Sequence, residues 1–301
     1  MTAVPESTEW PIGKLLTWTT GYFTTHQIDE PRLSAELLLA HVLACSRMAL
    51  YTRYDEIAPA EKIRAFKELV KRRREREPVA YLTGKAWFFS LEFSVSPAVL
   101  IPRPDTETLV EQAVSILRGG PPNANLLDLC TGSGCVALAV IKNVPDARAV
   151  ATDISDPALQ IAKNNAAAIG LAERVDFFSG DLYAALGDAP PRRFDVITAN
   201  PPYIPSQAID TLMPEVSRFE PRLALDGGSD GLQLIGRIIN DSPHYLAAEG
   251  YLLLETGCDQ TEQAAELIAA TGQFSPARIV TDSAGHRRCV IARRLNLGVS
   301  A

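Results

Sequence analysis

The sequence lacks the features that mark membrane, secreted and metal-binding proteins. It has no apolar run near the ~18 residues of a membrane-spanning helix. Its first residues include Glu6 and Glu9 and do not resemble a secretory signal peptide. Its five cysteines and four histidines are scattered, with neither a zinc-ligand spacing nor a disulfide framework. We therefore expect a cytoplasmic protein that holds no metal ion and no disulfide.

An excess of basic residues is also lacking, since the formal net charge is −7. This balance argues against a protein that follows a phosphate backbone, so we expect no stable binding to nucleic acid and no membrane association. Residues 61–77 are different, because they hold eight Lys or Arg against four Asp or Glu, with a basic run from Lys71 to Arg74. The run is either a solvated helix face with its cations near the carboxyl end of the helix, or a docking surface for an acidic partner.

The apolar residues that are present divide the chain into two domains. At 301 residues and 47% hydrophobic, the chain can bury a full α/β core beside a second, smaller domain. Leu33, Leu37, Leu38 and Val42 recur at helical spacing, and this pattern predicts a helical domain over residues 1–84.

The pattern changes near residue 85. Residues 87–95, which alternate in polarity from Ser90 onward, predict a β-hairpin within a connector that spans residues 85–103. From residue 104 to 301, strand-like and helix-like segments alternate, and two final strands are joined by a turn at Gly285. This order predicts an α/β domain built on a Rossmann-like sheet.

A tight turn with two glycines opens the α/β domain. Residues 125–130 are predicted to form a buried strand, Thr131-Gly132-Ser133-Gly134 the turn, and residues 135–143 a helix. Glycine lets the backbone approach a ligand closely, and Cys130 would offer its backbone there. The third glycine of the dinucleotide motif and the phosphate loop are both missing, which favours a cofactor without a pyrophosphate. The other cysteines have apolar neighbours and are predicted core residues: Cys45, Cys135, Cys258 and Cys289.

Asp153 follows the next predicted strand. It lies 19 residues after Gly134, at a position where a carboxylate can accept hydrogen bonds from both ribose hydroxyls of a nucleoside. We expect Asp156, followed by Pro157, to cap the next helix. That assignment leaves Asp153 available for a ligand.

Three other segments suggest roles near a site. After the third predicted strand, Asp181 could accept from an adenine amino group with Leu182 against the ring, or it could cap a short helix. Asp105 with Thr106 is predicted to start and cap a helix. The connection over residues 204–230 is long for a compact domain, and we expect it to wall a substrate channel.

The motif Asn200-Pro201-Pro202-Tyr203 comes directly after a predicted strand at residues 194–199. An asparagine oxygen and a proline carbonyl can each accept one N–H of a planar NH₂ group, which leaves its lone pair pointing at an electrophilic methyl group. The prolines hold that carbonyl rigidly, and Tyr203 can stack on the flat group. The motif is typical of methylation at a planar nitrogen, although its bare sequence also fits a Pro-rich turn.

Together these segments resemble the protein-glutamine N5-methyltransferases that modify class I peptide-chain release factors. The resemblance covers nearly the whole chain and is carried by residues 77–84, 100–107, 128–134, 200–203 and 218–221. It implies a seven-stranded methyltransferase sheet with an antiparallel last strand, and a small amino-terminal helical domain for substrate recognition. It also implies S-adenosylmethionine as the cofactor and class I release factors as the protein substrate. We expect a monomer.

The family's functional residues match particular positions of this chain. The positions matching the cofactor site are Cys130, Thr131, Gly132, Ser133, Gly134, Asp153, Asp181, Leu182 and Asn200. The positions matching the catalytic motif, which holds the glutamine amide, are Asn200, Pro201, Pro202 and Tyr203. In the family, the segment around Asp105 lies near the cofactor. The release-factor branch more often has glycine where this chain has Cys130.

Three alternatives remain open at this point. Residues 85–88 and 128–135 resemble the sister enzymes that methylate a glutamine of a ribosomal protein, whereas residues 103–107 resemble the release-factor branch. An adenine N6-methyltransferase shares the Asn-Pro-Pro-Tyr chemistry but normally needs a basic groove. A module that binds the cofactor without turnover would not need amide acceptors aimed at a methyl group.

Overall fold

The chain folds as two units, of which the first ends at Gly84 and the second begins at Lys85. A computed structural model describes residues 9–187 and 193–296. The outermost residues of the predicted domains, 1–8 and 297–301, lie outside the described residues, and so does Glu6. None of the described helices is long and apolar enough to cross a membrane.

Within residues 9–84, the first unit is a bundle of five helices. They are α1 (Ile12–Thr25), α2 (Pro31–Leu43), α3 (Arg47–Thr52), α4 (Ala60–Arg74) and α5 (Val79–Thr83). The core is built around Phe23, Leu38, Leu50 and Phe66, all of which are buried. Each such side chain contributes about 1.5–3 kcal/mol of hydrophobic stabilisation. The helical pattern of the sequence is confirmed, with Leu38 on the buried face of α2.

The basic run is the last turn of α4, so its cations lie at the carboxyl end of that helix. Arg72 forms an ion pair with Glu77 at 2.5 Å, and Arg74 donates to the Tyr22 hydroxyl at 3.2 Å. Arg73 is itself 5% exposed. These contacts favour the structural interpretation of the run over a docking surface.

The second unit begins with a hairpin and continues as alternating strands and helices. Its strands are β1 (Lys85–Phe88), β2 (Leu91–Ser94), β3 (Asn125–Leu129), β4 (Arg148–Asp153), β5 (Val175–Ser179), β6 (Phe194–Ala199), β7 (Leu246–Glu255), β8 (Arg278–Thr281) and β9 (Arg287–Arg293). Its helices are α6 (Glu107–Arg118), α7 (Cys135–Asn143), α8 (Asp156–Ile169), α9 (Pro214–Ser217), α10 (Gln233–Tyr245) and α11 (Thr261–Ala270). Strands β1 and β2 pair antiparallel, which confirms the predicted hairpin.

Seven strands form one sheet in the order β5-β4-β3-β6-β7-β9-β8. The five strands from β5 to β7 are parallel, and β9 runs antiparallel between β7 and β8. The predicted seven-stranded sheet with an antiparallel last strand is therefore confirmed. The chain reverses its direction of winding between β3 and β6, and ligands of open α/β sheets bind at such a point.

Both faces of the sheet are covered, so its central strands are mostly apolar. Successive residues of β3 alternate between the two cores, with Leu126 in one and Leu127 in the other. Helices α6 and α7 complete the first core, and α10 and α11 complete the second. This packing fixes the carboxyl ends of β3, β4 and β6, where the loops of interest begin.

One cysteine departs from the sequence prediction. Cys258 is exposed, because it lies in the turn after β7 and not within an element. The prediction that it is a core residue is wrong. Cys289 is buried, as expected.

Candidate active site

A cavity of about 270 Å³ lies at the carboxyl ends of the parallel strands in the second unit. The predicted site residues that line it are Cys130, Thr131, Gly132, Ser133, Asp153, Asp181, Leu182, Asn200 and Pro202. Gly134, Pro201 and Tyr203 are not part of its wall. The fold thus brings together residues from four loops that are far apart in sequence.

The turn after β3 has a backbone that few side chains tolerate. Cys130, Gly132 and Gly134 have φ angles of 56°, 56° and 80°. This left-handed region suits glycine, and it costs other residues about 1–2 kcal/mol. Gly134 is also the residue that precedes α7, so the turn ends directly at a helix amino terminus.

Asp128 holds this turn from within the sheet, a role that the sequence analysis missed. Its carboxylate accepts from the hydroxyls of Thr131 at 2.6 Å and Thr198 at 2.8 Å. Burial raises the pKa of Asp128 to about 6. An acidic residue inside an otherwise apolar strand was the available signal, because such a group is buried only when it has partners.

Asp153 binds the glycine turn through its carboxylate. One oxygen accepts from the Gly132 N–H at 2.8 Å, and the other accepts from the Ser155 N–H at 2.9 Å. Burial raises the pKa of Asp153, and these backbone bonds oppose that rise. Ser155, whose hydroxyl accepts from the Ala158 N–H, caps α8. The prediction that Asp156 is the cap is therefore wrong, since Asp156 already lies in the first turn of the helix.

Asp181 lies beside the cavity and pairs with Arg237 of α10 at 2.7 Å. Its side chain makes no capping hydrogen bond to the short helix that follows, so the capping alternative is not realised. Leu182 is buried on the same wall, with a φ of 52°. Arg237 could not be predicted as a site residue, because only the packing of α10 brings it there.

Two buried hydroxyls on the wall have no hydrogen-bond partner among the residues that the structure describes. They belong to Ser133, which is 2% exposed, and Thr152, which is 0% exposed. A buried hydroxyl without a partner is unfavourable by about 1–3 kcal/mol. The rest of the wall includes apolar side chains such as Val136 and Leu182. The cavity therefore suits a ligand with an apolar ring and several polar groups.

Asn200 comes directly after β6, at the edge of the cavity. Its Nδ2 donates to the Thr106 hydroxyl at 3.1 Å, which leaves Oδ1 available as an acceptor. Thr106 makes no capping bond to α6, so the predicted capping role for this residue is wrong. It instead holds the asparagine, a contact between residues far apart in sequence.

The other residues of the motif differ in how their carbonyls are used. The Tyr203 carbonyl accepts from Gln260 Nε2 at 2.8 Å. The Pro202 carbonyl is covered by Gly227, where an added Cβ would lie 2.7 Å from the oxygen. Pro202 lines the cavity, whereas Pro201 does not.

A buried polar cluster lies behind the motif. The Tyr203 hydroxyl donates to Glu255 Oε1 at 3.4 Å, and Glu255 is 2% exposed at the end of β7. Burial raises the pKa of Glu255 to about 7. Burial also raises the pKa of Tyr203, with the charge of Glu255 adding to the effect. The hydroxyl of Tyr203 is thus held away from the cavity in this arrangement.

The segment before α6 and the long loop after the motif are joined by an ion pair. Arg103 pairs with Glu220, whose carboxylate also accepts from the Ile101 N–H. Residues 221, 223 and 224 of the loop line the cavity, and so do residues 98–100, 102, 103 and 106. The sequence suggested a role near the site for each of these segments, but only the fold shows that they contact each other.

No group of His, Cys, Asp or Glu within residues 9–187 and 193–296 is arranged to hold a metal ion.

The chain is similar to known proteins along most of its length. Residues 14–84 match the family described as PrmC N-terminal domain, and residues 106–216 match Methyltransferase small domain. The chain is 43% identical to the release factor glutamine methyltransferase of Geobacter sulfurreducens, over 90% of this chain and 92% of that protein. It is 40% identical to the protein of the same name from Rhodopirellula baltica, over 96% and 98%. A Pyrococcus furiosus methyltransferase of known structure has the same fold, with 17% identity and a TM-score of 0.51 over 69% of this chain and 91% of that one.

Proposed function

The chain belongs to the release factor glutamine methyltransferases, and from this we propose that it methylates the glutamine side chain in the Gly-Gly-Gln motif of class I peptide-chain release factors. The methyl group is transferred to the side-chain amide nitrogen, N5. The methylated release factor then acts in translation termination. The curated relatives are named for release factors and not for a ribosomal protein, which favours this branch over its sister. The net charge of −7 disfavours a nucleic-acid substrate.

Methyltransferases of this kind use S-adenosylmethionine, and we propose that the cavity holds it. The glycine turn at residues 130–134, Asp153 and Leu182 would hold it, with Asp181 and Arg237 at the edge. The unpartnered hydroxyls of Ser133 and Thr152 offer hydrogen bonds that a polar, partly apolar ligand would complete. When bound, S-adenosylmethionine supplies an activated methyl group on a sulfonium.

The orientation of Asn200 is the observation that carries the proposal. Because its Nδ2 is engaged by Thr106, its Oδ1 can accept one N–H of the substrate amide, and a proline carbonyl of the motif can accept the other. Both N–H bonds are then drawn to one side, and the nitrogen lone pair is freed for attack. The nitrogen gains the methyl group and loses one proton during or after the attack. A neutral amide is too weak an acid for a side-chain base to ionise first, so positioning supplies most of the catalysis.

The first unit, residues 1–84, is proposed to recognise the release factor. Its surface carries several exposed large apolar side chains, among them Trp18 at 42%, Met48 at 73% and Ile57 at 53% exposure. We propose that these side chains contact the release factor.

Replacement of Asn200 tests the proposal. We expect Asn200→Ala to lower kcat by about 100-fold or more, because it removes one of two acceptors that act only on the substrate nitrogen. The KM for release factor and the unfolding midpoint should change little. A variant with wild-type kcat would contradict the role of Asn200.

A further inference from the structure

Helix α8 contacts the glycine turn through the side chain of Asn165. This residue is 1% exposed, and its amide group makes three hydrogen bonds. Its Nδ2 donates to the Ser133 carbonyl at 2.9 Å and to the Ser94 carbonyl at 3.1 Å. Its Oδ1 accepts from the Ser94 N–H at 2.8 Å. One buried amide therefore connects three segments, namely the turn after β3, strand β2 and helix α8.

The three partners of Asn165 match the groups that a primary amide offers. Such an amide has two N–H donors and a carbonyl acceptor. The two backbone carbonyls need a donor, and the Ser94 N–H needs an acceptor, so the amide can face only one way. An apolar side chain here would leave all three buried backbone groups without this partner, which is unfavourable. An ionised carboxylate could serve the N–H alone.

The bond to Ser133 fixes a peptide group of the turn. The Ser133 carbonyl and the Gly134 N–H belong to one planar peptide group, and that N–H donates to the Thr131 carbonyl at 2.9 Å. The Thr131 carbonyl and the Gly132 N–H belong to another, and that N–H donates to Asp153 at 2.8 Å. Each of these two peptide groups is thus held at both its carbonyl and its N–H. Neither can rotate without the loss of hydrogen bonds.

Packing of α8 against the turn adds to this restraint. An added Cβ at Gly134 would lie 3.2 Å from the Ala162 Cβ. Ala162 and Asn165 are three positions apart on α8, so they lie on the same face of the helix. Gly132 and Ser133 line the cavity, whereas Asn165 does not. The side chain of Asn165 can therefore affect a ligand in the cavity only through the turn that it holds.

We propose that Asn165 is a positioning residue, which fixes the glycine turn in the conformation that binds S-adenosylmethionine. The inference deepens the proposed function and rests on it for the identity of the cofactor. Asn165 acts through the backbone of Ser133 and not by contact with the cofactor.

Cofactor binding by Asn165→Ala tests the proposal. We expect the Kd for S-adenosylmethionine, measured by calorimetry, to rise about 10- to 100-fold, as is usual for residues that orient ligand-binding groups. At saturating cofactor, kcat and the KM for release factor should stay within about threefold, because the contacts of Asn200 are not changed. A purely structural residue would instead lower the amount of folded protein and leave the Kd unchanged. A wild-type Kd in Asn165→Ala would overturn the proposal.

The neighbouring residue provides a matched control. Asn164 is the same residue type on the same helix, but it is exposed, and its side chain accepts from Gln160 Nε2 at 3.0 Å. Asn164→Ala should therefore keep the Kd for S-adenosylmethionine within about twofold of wild type. An equal rise of the Kd in Asn164→Ala and Asn165→Ala would show that the effect belongs to the helix and would contradict the role of the Asn165 amide.

Asn165→Asp separates the turn from the hairpin and nearly keeps the volume of the side chain. At about pH 8, well above the ordinary Asp pKa of about 3.9, the carboxylate can still accept from the Ser94 N–H. It has no hydrogen for the Ser133 carbonyl, so the Kd should again rise at least about tenfold. A Kd within about threefold of wild type would show that the bond to the turn is not needed.

Amide hydrogen exchange gives a readout that needs no cofactor. In Asn165→Ala, exchange of the Gly134 N–H should accelerate at least about tenfold more than exchange of the Leu127 N–H in β3, which reports on opening of the sheet. Equal acceleration at both positions would show a loss of global stability alone and would refute the positioning role. A wild-type protein that does not bind S-adenosylmethionine would refute the proposed cofactor instead, while the exchange rates would still decide whether Asn165 holds the turn.

Discussion

Cys130 has a backbone conformation that most residues avoid. Its φ is 56°, and its side chain lies partly buried against the second core of the sheet. The left-handed backbone explains why this position suits glycine better than other residues. The sequence identified the position as unusual, but the reason needed the backbone angle.

Substitution of Cys130 should separate backbone from side-chain effects. We expect Cys130→Val to lower the free energy of unfolding by about 1–2 kcal/mol, because a branched side chain is poorly tolerated at this φ. Cys130→Gly should bind S-adenosylmethionine with a Kd within about threefold of wild type, because glycine accepts this φ without strain. Chemical denaturation and calorimetry measure the two effects. A glycine variant that fails to bind would show that the thiol itself contacts the cofactor.

At the scale of elements, the turn after β6 is held by the loop that precedes α10. An added Cβ at Gly231 would lie 2.1 Å from the Tyr203 carbonyl oxygen and 2.4 Å from Gln260 Nε2. Gly231 also has a φ of 77°. The catalytic motif therefore depends on a glycine 28 residues downstream of Tyr203.

Gly231→Ala should disrupt the bond between Gln260 and the Tyr203 carbonyl. If the loop keeps its conformation, we expect the unfolding free energy to fall by about 2–3 kcal/mol. If the loop moves to relieve the contact, we expect kcat to fall at least about tenfold. Gly236→Ala is the matched control, because an added Cβ there meets nothing within 4 Å. It should be neutral or stabilise α10 by about 0.5–1 kcal/mol. A Gly231→Ala protein with wild-type stability and rate would contradict this dependence.

The elements differ in how well the sequence predicted them. Residues 135–143 and 194–199 have the bounds that were predicted, because a glycine turn and a proline pair mark their ends. The start of β7 at Leu246 carries no such mark, and it is set by pairing with Phe194 before an irregularity in the register. Capping was predicted less well, since Ser155 and not Asp156 caps α8. The choice between neighbouring polar residues depends on local geometry that composition does not contain.

At the scale of the whole molecule, buried carboxyl groups couple stability to pH. The pKa of Asp128 is raised to about 6 from an ordinary 3.8, and that of Glu255 to about 7 from 4.5. A raised pKa in the folded state means that folding favours the protonated form. The stability contributed by each group is therefore complete below its ordinary pKa and is lost as the pH rises through 6 to 7.

Asp128→Asn should remove one part of this pH dependence. The wild type loses stability between about pH 4 and pH 8 as Asp128 ionises, whereas the variant has no carboxyl group to ionise there. The free energy of unfolding of the variant should therefore rise relative to wild type by up to about 3 kcal/mol, which corresponds to a shift of roughly two pKa units. Urea unfolding at a series of pH values measures the difference. If the difference is constant with pH, ionisation of Asp128 does not destabilise the folded protein.

The site as a whole could be predicted in outline and not in detail. The glycine turn, Asp153 and Asn200 carried recognisable motifs, and all three reach one cavity. The contacts of Thr106, Arg237 and Asp128 were not predicted. They join the site through hydrogen bonds between residues 56 to 94 positions apart, which a single sequence does not reveal. The contacts that orient Asn200 were thus the part that needed a structure.

The central claim is tested most directly by methyl transfer from labelled S-adenosylmethionine to purified class I release factor. The release factor is used with its Gly-Gly-Gln glutamine intact or replaced by alanine, beside a ribosomal-protein fraction and duplex DNA. We predict label on the intact release factor alone, and none once the glutamine is replaced. Label on the ribosomal protein or on DNA, with none on the release factor, would contradict the proposed function.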